Sequence, residues 1–188
     1  MERVLLVAGG QKGRETLMEC LRDYPLSEIV CVRTGKEAWR QMTGQSFSLA
    51  VILSPLPDGT GYDLARMAAE STAGVLLLAR PETAAEITAS MTECGILVLP
   101  LPFGRKAFRD AVTMMLVVHR RLSAAVPQAE RLQQKIREIR LVDRAKCLLI
   151  QYGGMSEEEA HRAIEKQAMD RQVTRVNIAE EILQSYSG

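Results

Sequence analysis

No stretch of the chain approaches the roughly 20 consecutive apolar residues that a membrane-spanning helix requires. The apolar segment nearest the amino terminus, Val4 to Ala8, is only about five residues long and has no cleavage-site pattern after it, so no secretory leader is expected. The expectation is a cytoplasmic protein without a membrane partner. Charge of either sign is also in short supply: 24 lysines and arginines against 23 aspartates and glutamates leave a net charge of +1, and acids and bases nearly cancel again within residues 130–188. A nonspecific polyanion binder draws its affinity from many cationic contacts that release counterions, and this chain cannot supply them. Histidine is scarce, with His119 and His161 far in sequence from Cys20, Cys31, Cys94 and Cys147, and the four cysteines have no paired spacing. They read as buried, reduced thiols, with no metal site and no cofactor. No carboxylate pair and no serine or cysteine triad appears, so there are no catalytic candidates and an enzyme is not expected.

What remains is ordinary globular composition, 47% hydrophobic and 25% charged, at a length of 188 residues that allows one or two domains. Residues 1–122 alternate two patterns. Short apolar runs stand at 4–7, 29–32, 49–53, 75–78 and 96–99, of the kind buried on both faces of a parallel sheet. Between them lie helical spacings: Leu17, Cys20 and Leu21; Ala38 and Met42; Leu64, Met67 and Ala68; Ile87 and Met91; and finally Phe108, Val112 and Met115. Strict alternation predicts a doubly wound α/β fold of the flavodoxin-like kind, with five parallel strands. The glycine-rich turn at 9–13 follows the first strand, where phosphate-binding loops sit, but it has neither phosphate-loop order and reads as a tight strand-to-helix turn. Its place at the carboxyl edge of the sheet leaves room for a small-molecule effector.

Leu122, Ala125, Ala129, Leu132, Ile136 and Ile139 recur at spacings of three and four, the a/d seam of a coiled coil, and predict a helical linker over 123–143 that makes a homodimer. Pro127 predicts a kink or restart inside it. Asp143, Lys146 and Ile150 would carry the seam on, and the polar pair predicts that the coil diverges near 143. Beyond it, residues 144–188 form a third region. A helix ends at Gly153-Gly154, Ser156 with Glu159 makes a capping box that opens a second helix over about 157–169, and a third follows a polar break, over about 175–186. Ala160, Ala163, Ile164 and Ala168 share one face of the second helix, and Ala179, Ile182, Leu183 and Tyr186 one face of the third.

This last segment resembles the ANTAR domain, the RNA-binding output module of transcription antiterminators. The resemblance is carried by Ala145-Lys146, by the turn Gly154-Met155-Ser156 with Glu159-Ala160, by Met169, and by Ile178-Ala179. Cys147 stands where the family usually has glycine, and His161 where it has an aromatic. Most of these apolar matches are expected in the core. The front domain, with Leu-Pro-Asp-Gly-Thr-Gly at 56–61 and Pro-Phe at 102–103, resembles the receiver domain of two-component response regulators. The family's metal-binding acids fall on Ala8 and Gly9, its phosphoacceptor aspartate on Leu53, its Thr or Ser on Ala79, and its lysine on Leu101. Phosphoryl transfer to a carboxylate needs the nucleophile, a cation and donors for the product, and all five positions are empty of that chemistry. The resemblance therefore implies a pseudoreceiver that is not phosphorylated. Ser54 is the nearest hydroxyl, and Asp58 reads as the start of a glycine-assisted turn.

Taken together, the two resemblances imply a transcription antitermination regulator that binds paired stem-loops in nascent leader RNA. The contacts are expected at exposed cations and planar groups: Arg144 and Lys146 near the end of the first ANTAR helix, Tyr152 at its tip, and Arg171 and Arg175 around the break before the third. A regulatory protein or a small-molecule effector would supply the switch that the missing aspartate cannot. Two other readings fit the same helices: a DNA-binding helix-turn-helix regulator, against which Glu180-Glu181 in the third helix weighs, and a dimeric protein-interaction scaffold.

Overall fold

The computed structural model describes residues 2–186; Met1, Ser187 and Gly188, which fall inside the domain ranges above, lie outside the described residues. The strands are β1 (Glu2–Ala8), β2 (Leu26–Val32), β3 (Leu49–Leu53), β4 (Gly74–Ala79) and β5 (Ile96–Pro100). Alternating with them are α1 (Gln11–Leu21), α2 (Gly35–Gly44), α3 (Tyr62–Ala69) and α4 (Pro81–Glu93), and after β5 come α5 (Arg105–Gly153), α6 (Glu157–Asp170) and α7 (Arg175–Ser185). All strand pairs are parallel, in the order β2-β1-β3-β4-β5. That is the flavodoxin-like order, in which the polypeptide reverses direction of winding beside β1 and opens a crevice at the carboxyl ends of the strands.

Contacts divide the chain between Ala125 and Val126 into two compact units. In the first, the sheet separates two cores. One face packs Leu5, Ile52 and Leu77 against α2, α3 and α4, through Ala38, Leu64, Ala68 and Met91. The other packs Val4, Leu6, Val51 and Leu76 against α1 and α5, through Leu17, Leu21, Phe108 and Val112. The central strands are buried on both faces, as their unbroken apolar runs require. β2 and β5 are not: at the sheet edges each has one neighbour, and only Val32 of β2 and Ile96 of β5 are fully buried. Gly74 opens β4 because the chain passes α5 there too closely for a side chain; a Cβ would stand 2.3 Å from the Met115 carbonyl oxygen.

Two expectations are corrected: the helix does not restart at Pro127, and the cysteines are not buried. α5 runs for 49 residues through Pro127 without a break. Proline removes one helical hydrogen bond, to the Ser123 carbonyl four residues back; Ser123 is only half-buried and residues 124–130 are all exposed, so water can serve that carbonyl. In the heptad register of the seam Pro127 is an f position, on the far side of the helix from the apolar stripe. The cysteines are free, as expected, but not buried: Cys31, Cys94 and Cys147 are exposed and Cys20 is half-buried. Cys31 owes this to the open edge strand, and Cys147 to its place beside, not on, the stripe of α5 that Val142, Ala145 and Leu149 bury.

In the second unit the core is small. Val142, Ala145 and Leu149 of α5 meet Ile164 and Ala168 of α6 and Ile178, Ala179 and Ile182 of α7. Alanines at Ala145, Ala160, Ala168 and Ala179, each at most 7% exposed, let the helix backbones approach closely. Gly154 ends α5 with φ +66°, in the left-handed region that glycine enters without strain. Ser156 then caps α6 through a complete capping box, and three glutamates in the first turn complement the positive end of the helix.

Candidate functional site

The register of the sheet gathers the receiver-like positions at one edge. Ala8 lies opposite Leu53, Leu53 opposite Leu78, and the Leu101 amide donates to the Ala79 carbonyl at 2.8 Å. Ala8 and Ala79 are fully buried, and Gly9, Leu53 and Leu101 are half-buried. Apolar contact fills this edge: a Cβ on Gly9 would stand 2.7 Å from Pro57 Cδ, and one on Gly13 2.5 Å from Leu53 Cδ2. The glycines at 9 and 13 thus serve close packing. Arg14, which sequence spacing does not single out, donates from Nη1 to the Ala8 and Gly9 carbonyls at 3.0 and 3.1 Å, putting a fixed cation where β1 ends.

The nearby polar groups are also committed. Ser54 is 7% exposed. Asp58 accepts from the Gly35 and Lys36 amides at 2.9 and 3.0 Å, so its carboxylate caps α2 from a neighbouring loop. Those amides hold its pKa below the ordinary carboxylate value.

In the second unit the five sequence-named candidates occupy different settings. Arg171 reaches across the α6–α7 turn and donates from Nη2 and Nη1 to both oxygens of Glu181, at 2.8 and 2.5 Å. Arg175 donates from Nη1 to Glu165 at 3.0 Å, and the same oxygen lies 3.3 Å from His161 Nε2. The Arg171 pair lowers the Glu181 pKa and raises that of the arginine, chiefly through the hydrogen bonds themselves. Both guanidiniums remain about half exposed. Arg144 is exposed and without an ion-pair partner among the described residues.

Lys146 departs from the expectation of an exposed cation. Its side chain is 17% exposed, with Nζ 2.8 Å from Asp143 one turn back and 3.6 Å from Glu157 in the first turn of α6. The hydrogen bond to Asp143 raises its pKa above the ordinary lysine value, and the ammonium clamps α5 to the start of α6. It lines a cavity of about 520 Å³ whose wall includes His161 and Arg175, so the structure brings the two predicted cations Lys146 and Arg175 together. Arg144 and Lys146 also stand two turns before the end of α5, farther from it than the sequence reading places them.

Tyr152 is 63% exposed and stacks on Tyr186 with ring centroids 5.4 Å apart and planes 25° from parallel. Tyr186, placed by its spacing on the apolar face of the third helix, is instead 43% exposed. Met169 is a second exception to the expected core, at 79% exposed, because it lies on the outer side of the last turn of α6. Among the described residues no group of three or more His, Cys, Asp or Glu side chains is arranged to hold a metal ion, and no helix is long and apolar enough to cross a membrane.

Residues 130–183 match the model of the ANTAR domain family. Over 184 residues the chain is 24% identical to the transcriptional regulatory protein PdtaR of Mycobacterium tuberculosis, in the CDC 1551 / Oshkosh and H37Rv strains alike, spanning 97% of this chain and 90% of that protein. Among solved structures, the signal receiver domain of an HD domain-containing protein from Pseudomonas fluorescens Pf-5 aligns with a TM-score of 0.59 at 17% identity, covering 65% of this chain and 92% of that one. A putative response regulator from Chloroflexus aurantiacus aligns with a TM-score of 0.55 at 22% identity, covering 62% and 98%. The chain thus joins a five-stranded parallel sheet with the fold of receiver domains to a C-terminal segment, residues 130–183, that matches the ANTAR domain family.

Proposed function

We propose that this protein is a transcription antitermination regulator that binds paired stem-loops in nascent leader RNA, works as a homodimer through α5, and is not switched by phosphorylation of its receiver fold. The ANTAR match over residues 130–183 carries the reading. Likeness over nearly the whole chain to a transcriptional regulatory protein supports it. Exposed ion pairs such as Arg171–Glu181 and Arg175–Glu165 are screened by water and contribute little to stability, so a phosphate can take over either guanidinium at little cost. With a net charge near zero, selectivity must come from loop shape and a few placed groups.

A gel-shift titration of the full chain against paired stem-loops beside terminators tests this. Lys146→Ala or Arg175→Ala is expected to weaken binding by about 1 to 3 kcal/mol while helicity by circular dichroism stays unchanged. Equal binding by variant and wild type would remove that residue from the interface, and no binding by the wild type would defeat the reading. The second expectation concerns the receiver edge, where Leu53, Ala8, Gly9, Ala79 and Leu101 offer no nucleophile, metal ligand or switch group. Incubation with acetyl phosphate and Mg²⁺ should leave the intact mass unchanged; a stable phosphoryl adduct would contradict it.

A further inference from the structure

α5 and α7 build a feature that neither helix shows alone. Arg140 and Arg144 stand one turn apart on α5, with Cys147 a further turn on, so all three lie along one side of that helix. Leu183 on α7 and Tyr186 at its end stand three residues apart and face them. Between the two sides is a cavity of about 550 Å³, lined by Arg140, Asp143, Arg144, Cys147, Leu183 and Tyr186. Tyr186 belongs both to this wall and to the stack with Tyr152, so the cavity is continuous with a two-ring platform.

The charges lean one way. Asp143 is engaged by Lys146 at 2.8 Å, whereas Arg140 and Arg144 are exposed and have no ion-pair partner among the described residues. An apolar slot between a ring and an aliphatic side chain, bordered by two uncommitted guanidiniums, matches a flat, uncharged ring carried on an anionic backbone. Bases have a π-face for the tyrosine, and their phosphates accept from arginine. A protein segment with an aromatic side chain lacks the backbone anion that the guanidiniums would meet.

We propose that this cavity takes one splayed-out base of an RNA loop, stacked on Tyr186 with Tyr152 behind it, and that Arg140 and Arg144 hold the adjoining phosphates. This rests on the RNA-binding reading above and adds to it a base site made of Tyr186 and Arg140. The tyrosine pair gives the loop a place to unstack into, and so gives selectivity for loops over paired stems, which do not expose a base face.

The test uses the full chain and a pool of stem-loops with a constant stem and a randomised loop. A bound hairpin recovered from the pool is then made with 2-aminopurine at each loop position in turn. One position is expected to lose fluorescence on binding the wild type, as a stacked base does. Tyr186→Ala should abolish that quench and weaken binding about 5- to 150-fold, the range for one base-aromatic stack. Tyr186→Phe, which keeps the ring, should retain both, and Arg140→Gln with Arg144→Gln should weaken binding while flattening its salt dependence. If Tyr186→Ala, with unchanged helicity, binds and quenches as the wild type does, the base site is wrong while the RNA reading stands. If Tyr186→Phe binds as poorly as Tyr186→Ala, the ring is not a stacking surface and the proposal fails likewise. A folded wild type that recovers no hairpin from the pool overturns the RNA reading and this site with it.

Discussion

Replacing Leu132 and Ile139 together by lysine is expected to convert a dimer into a monomer. Leu122, Leu132, Ile136 and Ile139 are 44%, 61%, 43% and 60% exposed in the single chain, all on one stripe of α5, with the small Ala125 and Ala129 between them. Burying a fully exposed leucine or isoleucine stabilises by about 1.5–3 kcal/mol, and these two start about 60% exposed, so the two positions on both chains carry about 4–7 kcal/mol. That compares with about 8 kcal/mol for a micromolar complex. Lysine at these positions removes the gain and sets like charges against each other across the seam. Sedimentation of the wild type should give twice the chain mass of 20.8 kDa, and of the double variant the chain mass itself. A wild type that sediments as a monomer, or a variant that stays dimeric, would remove the seam from the proposal. The functional consequence follows from linkage: two ANTAR domains held together engage the second of two stem-loops at high effective concentration. The monomeric variant should therefore bind a single hairpin as before and lose the advantage of a pair.

The second large effect is expected at Ile164. It is 1% exposed at the centre of a core cluster whose five buried side chains are two isoleucines and three alanines. Truncation to alanine removes about 2–5 kcal/mol. A unit this small holds only about 3–5 kcal/mol from its core, so Ile164→Ala should leave α6 and α7 largely unfolded while the sheet domain keeps its structure. Hydrogen exchange read by mass spectrometry should show protection lost over 157–185 and retained over the strands. Unchanged protection in α6 would mean that the helices draw their stability from elsewhere. RNA binding should disappear along with the helices, since the proposed contacts on α5 and α7 are placed relative to each other by that core.

Much of this architecture is legible before folding, and the reason is periodicity. Unbroken aliphatic runs such as Leu49–Leu53 report burial on both faces, and the capping box at Ser156 and Glu159 reports a helix start through hydrogen bonds only three residues long. The absence of receiver chemistry is read position by position, because a missing carboxylate needs no geometry to be missing. The errors share a cause as well. Pro127 sits inside a helix because its neighbours are exposed and its heptad position faces away from the stripe, and local propensity contains neither fact. Cys31 is exposed because β2 is an edge strand, which is decided by strand order.

The candidate RNA surface was legible as a set of residue types and not as an arrangement. Arg171 and Glu181 are ten residues apart, as are Arg175 and Glu165, and pairs at that separation meet only because α6 and α7 pack against each other. Lys146 looks like a free cation until α6 brings Glu157 to it. Tyr186 has the spacing of a core residue, and the end of α7 turns it onto Tyr152 instead.

By itself the sequence determined the alternation of strands and helices, the three-helix end region, the apolar stripe along α5 and the residue types at positions 8, 9, 53, 79 and 101. These depend on residue identity and on repeats within a few turns, where chain connectivity alone sets which side chains are neighbours. Only the tertiary structure decided which strands are edges, which cations are clamped and which are open, and that Arg140, Arg144 and Tyr186 border one cavity. Such groupings join residues tens of positions apart, and their distances are set by how helices pack, through shapes and volumes that no local spacing encodes.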